Sequence, residues 1–186
     1  MGNGYPKYAA ELIQAAMPDA EIEFINQGIS GNRTDQLFDR FYPDAIEFQP
    51  DVISILIGIN DIWHRHGASR IETTDAQILT NYRAILERIK KQTTAKIVML
   101  SPFLLDNEEK REWLPELEAI LPGIRALAKE FADAYIPLDE LFGEALKTQP
   151  EPLYYSGDGV HPNANGAAFI GEHYAKAVLP ILAELA

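Results

Sequence analysis

The stretch Val52-Ile53-Ser54-Ile55-Leu56-Ile57 decides the fold, because it is the strongest candidate for a buried β-strand in the chain. It is apolar on both faces, which is typical of a central strand in a parallel sheet that helices cover on each side. The strand runs directly into Gly58-Ile59-Asn60-Asp61, which is a polar turn. Ligands bind at the carboxyl ends of strands in open α/β sheets, so this turn is the first candidate for a functional site.

Helical and strand-like segments alternate on either side of this strand. Apolar residues recur at helical spacing in residues 74–91 and again in residues 117–131. The predicted helices are 6–17, 34–48, 74–91, 117–131, 138–146 and 164–185, and the predicted strands are 21–26, 52–57, 96–100 and 134–137. The alternation predicts an α/β fold with a mainly parallel sheet and helices on both faces.

Length, charge and composition restrict the classes of protein that remain. A chain of 186 residues is most simply one domain, here taken as 1–186. The net charge of −12 argues against nucleic acid or an anionic membrane as a partner, because phosphate binding needs clustered Lys and Arg. The absence of cysteine excludes disulfides and thiolate chemistry. No apolar run is long enough to cross a membrane, and the first residues do not resemble a signal peptide, so we expect a cytoplasmic protein.

Three polar loops follow predicted strands or strand-like segments: Gly28–Asn32, Gly58–Asp61 and Asp158–His161. Such loops open at one edge of a parallel sheet and can converge there. Asp158 and His161 are three residues apart, and a carboxylate beside an imidazole can fix the ring tautomer and stabilise the protonated ring. His161 is therefore a candidate general base for a hydroxyl nucleophile.

With these loops in place, the chain resembles an SGNH hydrolase, also called the GDSL esterase/lipase family. The resemblance covers nearly the whole chain and is carried by Gly28-Ile29-Ser30-Gly31-Asn32-Arg33, Ile57-Gly58-Ile59-Asn60-Asp61 and Asp158-Gly159-Val160-His161-Pro162. It implies a three-layer α/β/α sandwich that hydrolyses acyl esters without a cofactor or metal. It also implies that the Gly31 N–H and the Asn60 amide form the oxyanion hole. His161 is then the base, and Asp158 is the acid that orients it.

The sequence departs from the family at its front. The family carries its serine nucleophile in a Gly-Asp-Ser motif at the end of its first strand, and this chain contains no Gly-Asp-Ser. Residues 2–6 resemble the family segment that follows the motif, so the first strand and the nucleophile are expected to be missing. In the family that strand lies between the strands that correspond here to 21–26 and 52–57. We therefore expect these two segments to move together, or another chain to fill the gap by strand addition or exchange, as in a homodimer.

Several residues near the three loops have more than one interpretation. We place Trp63, Ser30 and Asp61 on the substrate side of the site, although Asp61 is better explained as a residue that stabilises the turn. Ser30 is the nearest candidate for a replacement nucleophile, and the simpler interpretation is that it stabilises a turn. Ser101 and Ser156 are weaker candidates. His64 and His66 could suggest a metal site, but two imidazoles without neighbouring acids or thiolates more often line a loop or a substrate rim.

These observations favour a serine-type ester hydrolase that acts on a small-molecule substrate with a short acyl group, with acetylated carbohydrates among the candidates. The alternative is a binding or assembly module that keeps the pocket without the nucleophile. Metal-dependent hydrolysis through His64 and His66 is a third and weaker hypothesis. Loops 61–73 and 103–115 are expected to shape the acyl and alcohol pockets.

Overall fold

A computed structural model describes residues 2–68 and 70–185 of the chain. Its centre is a parallel sheet of three strands in the order β1-β2-β3. The strands are β1 (Val52–Ile55), β2 (Lys96–Leu100) and β3 (Ala134–Ile136). Ile53 is paired with Ile97 across β1 and β2, and Met99 with Tyr135 across β2 and β3. The parallel sheet expected from the sequence is confirmed. The single-domain prediction over 1–186 stays a prediction, and Met1, Ser69 and Ala186 lie outside the described residues.

Helices cover both faces of this sheet and make the three-layer α/β/α sandwich. The helices are α1 (Tyr5–Ala16), α2 (Thr34–Asp44), α3 (Ile59–His66), α4 (Asp75–Gln92), α5 (Leu114–Phe131), α6 (Leu138–Thr148) and α7 (Ala164–Leu185), with short 3₁₀ turns at Ile46–Phe48, Arg111–Trp113 and Pro152–Tyr154. The predicted helices 74–91, 117–131 and 164–185 therefore match α4, α5 and α7 closely. The predicted helix 34–48 is divided, because α2 ends at Asp44 just after the internal Pro43.

Two apolar clusters, one on each face of the sheet, form the core. One cluster joins β1 and β2 to α4 and α5, and its fully buried stripe on α4 contains Ile78, Tyr82, Ile85 and Ile89. The other joins alternate residues of β2, such as Val98 and Leu100, to α1, α6 and α7. Successive side chains of a strand point to opposite faces, so the continuous apolar run of β2 supplies both clusters.

The segment Glu21–Asn26 forms no strand, and its prediction as a strand was wrong. Residues 20–29 have neither helical nor strand structure, although Ile22 and Phe24 still pack against the core. An alternating pattern needs a neighbouring strand to become a ladder, and no described strand pairs with this segment. The expectation that 21–26 and 52–57 move together was therefore also wrong.

β1 consequently lies at an edge of the sheet. It pairs with β2 on one side, and no strand of the described residues pairs with it on the other. Ser54 in the middle of β1 is exposed, between the buried residues Ile53 and Ile55. The strand that the sequence predicts as central is thus open along one side.

No helix in the described part of the chain combines the length and apolar character needed to cross a membrane. The cytoplasmic location stays a prediction.

Candidate active site

The Asp158–His161 pair is assembled within one tight loop before α7. The Nδ1 atom of His161 lies 2.8 Å from Oδ2 of Asp158, while Oδ1 of Asp158 accepts the backbone N–H groups of His161 at 2.8 Å and of Val160 at 3.0 Å. Partial burial opposes ionisation of the carboxyl group. The hydrogen bonds from His161 and Val160 outweigh that effect and hold the pKa of Asp158 well below its usual range. Asp158 is therefore a fixed carboxylate that orients the imidazole.

Contacts on two sides hold this loop in place. The Ser156 hydroxyl donates to the backbone carbonyl of His161 at 2.7 Å. On the other side, the backbone N–H of Leu105 donates to the carbonyl of Gly159 at 2.9 Å. Gly159 has a φ of +84°, and a Cβ atom there would lie 2.6 Å from the Leu105 carbonyl oxygen. Only glycine permits this approach, so the spacing of Asp158 and His161 depends on it.

The predicted oxyanion donors lie in two loops that a hydrogen bond connects. Asn60 is in the first turn of α3, and its Nδ2 atom donates to the backbone carbonyl of Asn32 at 3.1 Å. Gly31 precedes Asn32 with a φ of +79°, in the left-handed region that glycine tolerates. Arg40 fixes the same loop from α2, because its guanidinium donates to the Asn32 side chain at 2.7 Å and to the Gln27 carbonyl at 2.9 Å. The structure thus brings the Gly31 and Asn60 loops together, as the sequence predicts.

Asp61 is fully buried and serves the fold. Its carboxylate accepts the Thr34 hydroxyl at 2.7 Å and the Thr34 backbone N–H at 3.0 Å. Burial raises the pKa of Asp61 above its ordinary value, and the bonds from Thr34 only partly oppose this effect. The placement of Asp61 on the substrate side of the site is therefore corrected, because its oxygens join the start of α3 to the start of α2.

Trp63 connects α3 to the Asp158–His161 loop. Its ring meets the His161 ring edge-on, with 5.6 Å between centroids, and lies 5.2 Å from the Trp113 ring. Trp63 is half-buried, so it can contact both the imidazole and a bound molecule. With the hydrogen bond from Asn60 to Asn32, this contact completes the convergence of all three predicted loops.

Two residues of the loop 103–115, which was expected to shape the pockets, lie at this site although neither was singled out from the sequence. Lys110 and Trp113 are both buried and lie against Trp63. Lys110 stands in a run of charged residues that predicts an exposed loop, so the sequence carries no signal for its inward position. Trp113 is a large aromatic residue at the end of that run, which is a weak indication that it is buried.

His66 has acidic neighbours that the sequence analysis did not expect. Its Nε2 atom lies 2.6 Å from Glu116, its Nδ1 atom lies 3.5 Å from Glu112, and its ring stacks on Trp113. These glutamates follow His66 by 46 and 50 residues in the sequence (112 − 66 and 116 − 66), so no local pattern links them to His66. Among residues 2–68 and 70–185, no three His, Cys, Asp or Glu side chains are arranged to hold a metal ion.

The three serines considered as nucleophiles have different surroundings. Ser101 is fully buried and its hydroxyl donates to Asp139 at 2.6 Å. Ser156 is buried too, and its hydroxyl is bonded to the His161 carbonyl. Ser30 is exposed in the loop that carries Gly31. Of the three, only Ser30 can reach a reagent in solution.

Comparison with known proteins identifies the family. A profile of the GDSL-like lipase/acylhydrolase family matches residues 1–169. The chain belongs to this family. Among its curated relatives is an acetylxylan esterase of Geobacillus stearothermophilus, 28% identical over 181 residues, or 96% of this chain and 82% of the relative. Thioesterase 1/protease 1/lysophospholipase L1 of Escherichia coli is 27% identical over 182 residues, or 96% of this chain and 79% of that protein.

Solved structures of GDSL-like proteins have the same architecture. A GDSL-like protein of Parabacteroides merdae superposes with a TM-score of 0.88 at 32% identity, covering 94% of this chain and 81% of that one. The acetylxylan esterase Axe2 of G. stearothermophilus superposes with a TM-score of 0.84 at 27% identity, covering 93% of this chain and 80% of that one.

Family membership establishes the general reaction. As a GDSL acylhydrolase, the protein is a serine-type ester hydrolase that acts on small-molecule esters. The relatives are enzymes, so the alternative of a non-catalytic binding module is not favoured.

Proposed function

We propose that this GDSL hydrolase removes short acyl groups, acetyl above all, from carbohydrate esters. The observation that carries the proposal is the Asp158 carboxylate, which the backbone N–H groups of Val160 and His161 hold in place and which lies 2.8 Å from Nδ1 of His161. The His161 side chain is 63% exposed, so its Nε2 atom is open to a nucleophile and a substrate. A base that is oriented on one side and accessible on the other suits acyl transfer.

The proposed reaction uses two proton transfers in each half. The serine oxygen attacks the ester carbonyl carbon, and the serine proton passes to Nε2 of His161. The Gly31 N–H and the Asn60 amide stabilise the negative oxygen of the tetrahedral intermediate. His161 then gives its proton to the departing alcohol as the C–O bond breaks. Water attacks the acyl-enzyme in the same way, releasing the acid and restoring the serine hydroxyl.

Three observations support a neutral carbohydrate as the alcohol. The acetylxylan esterase relative matches 96% of this chain. Trp63 offers a half-buried aromatic surface beside His161, of the kind on which a sugar ring can stack. The net charge of −12 disfavours strongly anionic substrates such as phosphate-bearing thioesters.

The first test is turnover of acetylated xylooligosaccharides and of p-nitrophenyl acetate, compared with p-nitrophenyl palmitate and an acyl-coenzyme A thioester. We expect the acetyl esters to be hydrolysed faster than the long-chain and anionic substrates, and His161→Ala to abolish the difference. Faster hydrolysis of the palmitoyl ester or the thioester would contradict the substrate class.

The nucleophile can be identified in parallel with a fluorophosphonate probe, intact-mass spectrometry and peptide mapping. A single adduct on Ser30 that Ser30→Ala removes would identify a recruited nucleophile. Turnover without an adduct on Ser30 would assign the reaction to another hydroxyl. A folded sample with neither adduct nor turnover would mean that the serine must be supplied by a further strand.

The open edge of β1 is the place where such a strand would add. We infer that the unpaired backbone groups along β1 are satisfied by strand addition, in a homodimer or from another segment, because such an edge readily recruits a partner strand. Sedimentation of the wild type beside Ser54→Pro tests this inference. Proline has no N–H and does not fit a central strand, so the variant should dissociate; a monomeric wild type would contradict the dimer.

A further inference from the structure

Lys110 points inward from an otherwise exposed charged segment. Residues 106–112 read Asp-Asn-Glu-Glu-Lys-Arg-Glu, and Glu108, Glu109, Arg111 and Glu112 are exposed as such a run predicts. Lys110 is only 7% exposed. A lysine is rarely buried to this extent unless its charge has a partner, so its position needs a physical reason.

The reason lies in what the ammonium group contacts. Its Nζ atom is 3.9 Å from Oδ2 of Asp158, the same oxygen that binds Nδ1 of His161. It also lies 5.1 Å from the centroid of the Trp63 ring and 5.8 Å from that of Trp113, within the range of cation–π attraction. Lys110 therefore touches the acid of the catalytic pair and the aromatic residue that meets its base.

Lys110 is the permanent positive charge beside the Asp158 carboxylate. Among the described residues, no other lysine or arginine side chain lies within ion-pair distance of Asp158. α3 presents the Trp63 ring to His161. Trp113, the second ring beside Lys110, stacks on His66, and His66 is paired with Glu112 and Glu116. Within the described part of the chain, Lys110 is thus the permanently charged cation that lies against Asp158.

We propose that Lys110 is a positioning residue of the hydrolase site, which holds Asp158 and Trp63 against His161 and opposes protonation of His161. This inference rests on the proposed function. The ammonium repels the imidazolium ion and competes for the carboxylate that would stabilise it, so both effects disfavour the protonated ring. A base that stays neutral to lower pH remains able to accept the serine proton over a wider range.

The test is an NMR titration of the four histidine rings in the full chain, which requires no turnover. Loss of a signal in His161→Gln assigns the His161 resonance. In Lys110→Met, which keeps the apolar stem and removes the charge, the midpoint of the His161 titration should move up by about 0.5 to 1 pH unit. In Lys110→Arg, which keeps the charge, it should move by less than about 0.2. A role in packing alone would change the melting temperature of Lys110→Met without moving the midpoint.

An unchanged or lowered midpoint in Lys110→Met would overturn the proposal. If that variant does not fold, Lys110→Gln keeps a polar tip without charge and carries the same test. The acid limb of the kcat/KM profile for p-nitrophenyl acetate should follow the NMR midpoint in each variant. A raised midpoint in a protein that hydrolyses no ester would refute the proposed function and leave the role of Lys110 intact. Ester turnover with an unchanged midpoint would refute the role of Lys110 and leave the proposed function intact.

Discussion

Replacing Asp61 by alanine removes the carboxylate that joins the beginnings of α2 and α3. Thr34, its partner, is as fully buried as Asp61. After the substitution, the Thr34 N–H loses its acceptor, and the Thr34 hydroxyl keeps only the hydrogen bond that it accepts from Asn81 at 3.1 Å. Both Thr34 donors would then be buried without an acceptor.

The expected loss follows from these contacts. A hydrogen bond to a charged group contributes about 1.5–3 kcal/mol, so two of them give roughly 3–6 kcal/mol. The raised pKa of Asp61 shows that burial of the charged form costs more than these bonds return, which reduces the net loss. We therefore expect Asp61→Ala to lower the free energy of unfolding by about 3 kcal/mol, or the Tm by about 6–12 °C for a chain of this length.

Urea denaturation followed by circular dichroism, with a thermal scan beside it, measures this loss. Asp61→Asn is the matched control, because its amide oxygen still accepts from Thr34. It should lose only about 1 kcal/mol. Turnover should also fall in Asp61→Ala, because Asn60 precedes Asp61 and loses its fixed position.

A different result would refute the reasoning. If Asp61→Ala unfolds within about 0.5 kcal/mol of the wild type, the usual range for a surface substitution, the carboxylate does not hold the two helices together. A large fall in turnover in that same stable variant would return Asp61 to the substrate side of the site.

Three further predictions concern the catalytic loops. His161→Ala should lower kcat by about 10⁶-fold in an ester assay, since no base then takes the serine proton; a fall of less than tenfold would contradict its role. Asn60→Ala should lower kcat by about 10²–10³-fold with little change in KM, because its amide acts on the transition state; an equal rise in KM would instead indicate ground-state binding. Asp158→Asn should be less stable than the wild type above about pH 5, and the difference should begin to shrink below about pH 4 and continue to shrink toward the lower pKa of folded Asp158. The stability difference has this sign because the pKa of Asp158 is lowered and its stabilising ionised form is lost on acidification. Urea denaturation of both proteins across this pH range measures the difference. A difference that grows in acid would contradict the prediction.

The sequence predicted much of the fold because periodic apolar patterns are local. The apolar stripe of α4 and the apolar run of β2 each predict burial from their own residues, and both are fully buried in the structure. The site loops were predictable for a related reason, since loops that follow parallel strands open at one edge. Glu21–Asn26 was not predictable, because its alternation describes a strand only when a neighbour offers backbone partners.

The sequence by itself determined the α/β class, the family resemblance and the residue types available for acyl transfer. The tertiary structure alone decided which distant side chains meet. It directed Asp61 to Thr34, 27 residues earlier in the chain (61 − 34), and brought Glu116 to His66. It also turned Lys110 from a charged loop toward Asp158, 48 residues later (158 − 110). These contacts depend on how α2, α3 and residues 105–113 pack together, and packing joins residues whose separation along the chain carries no periodic signal.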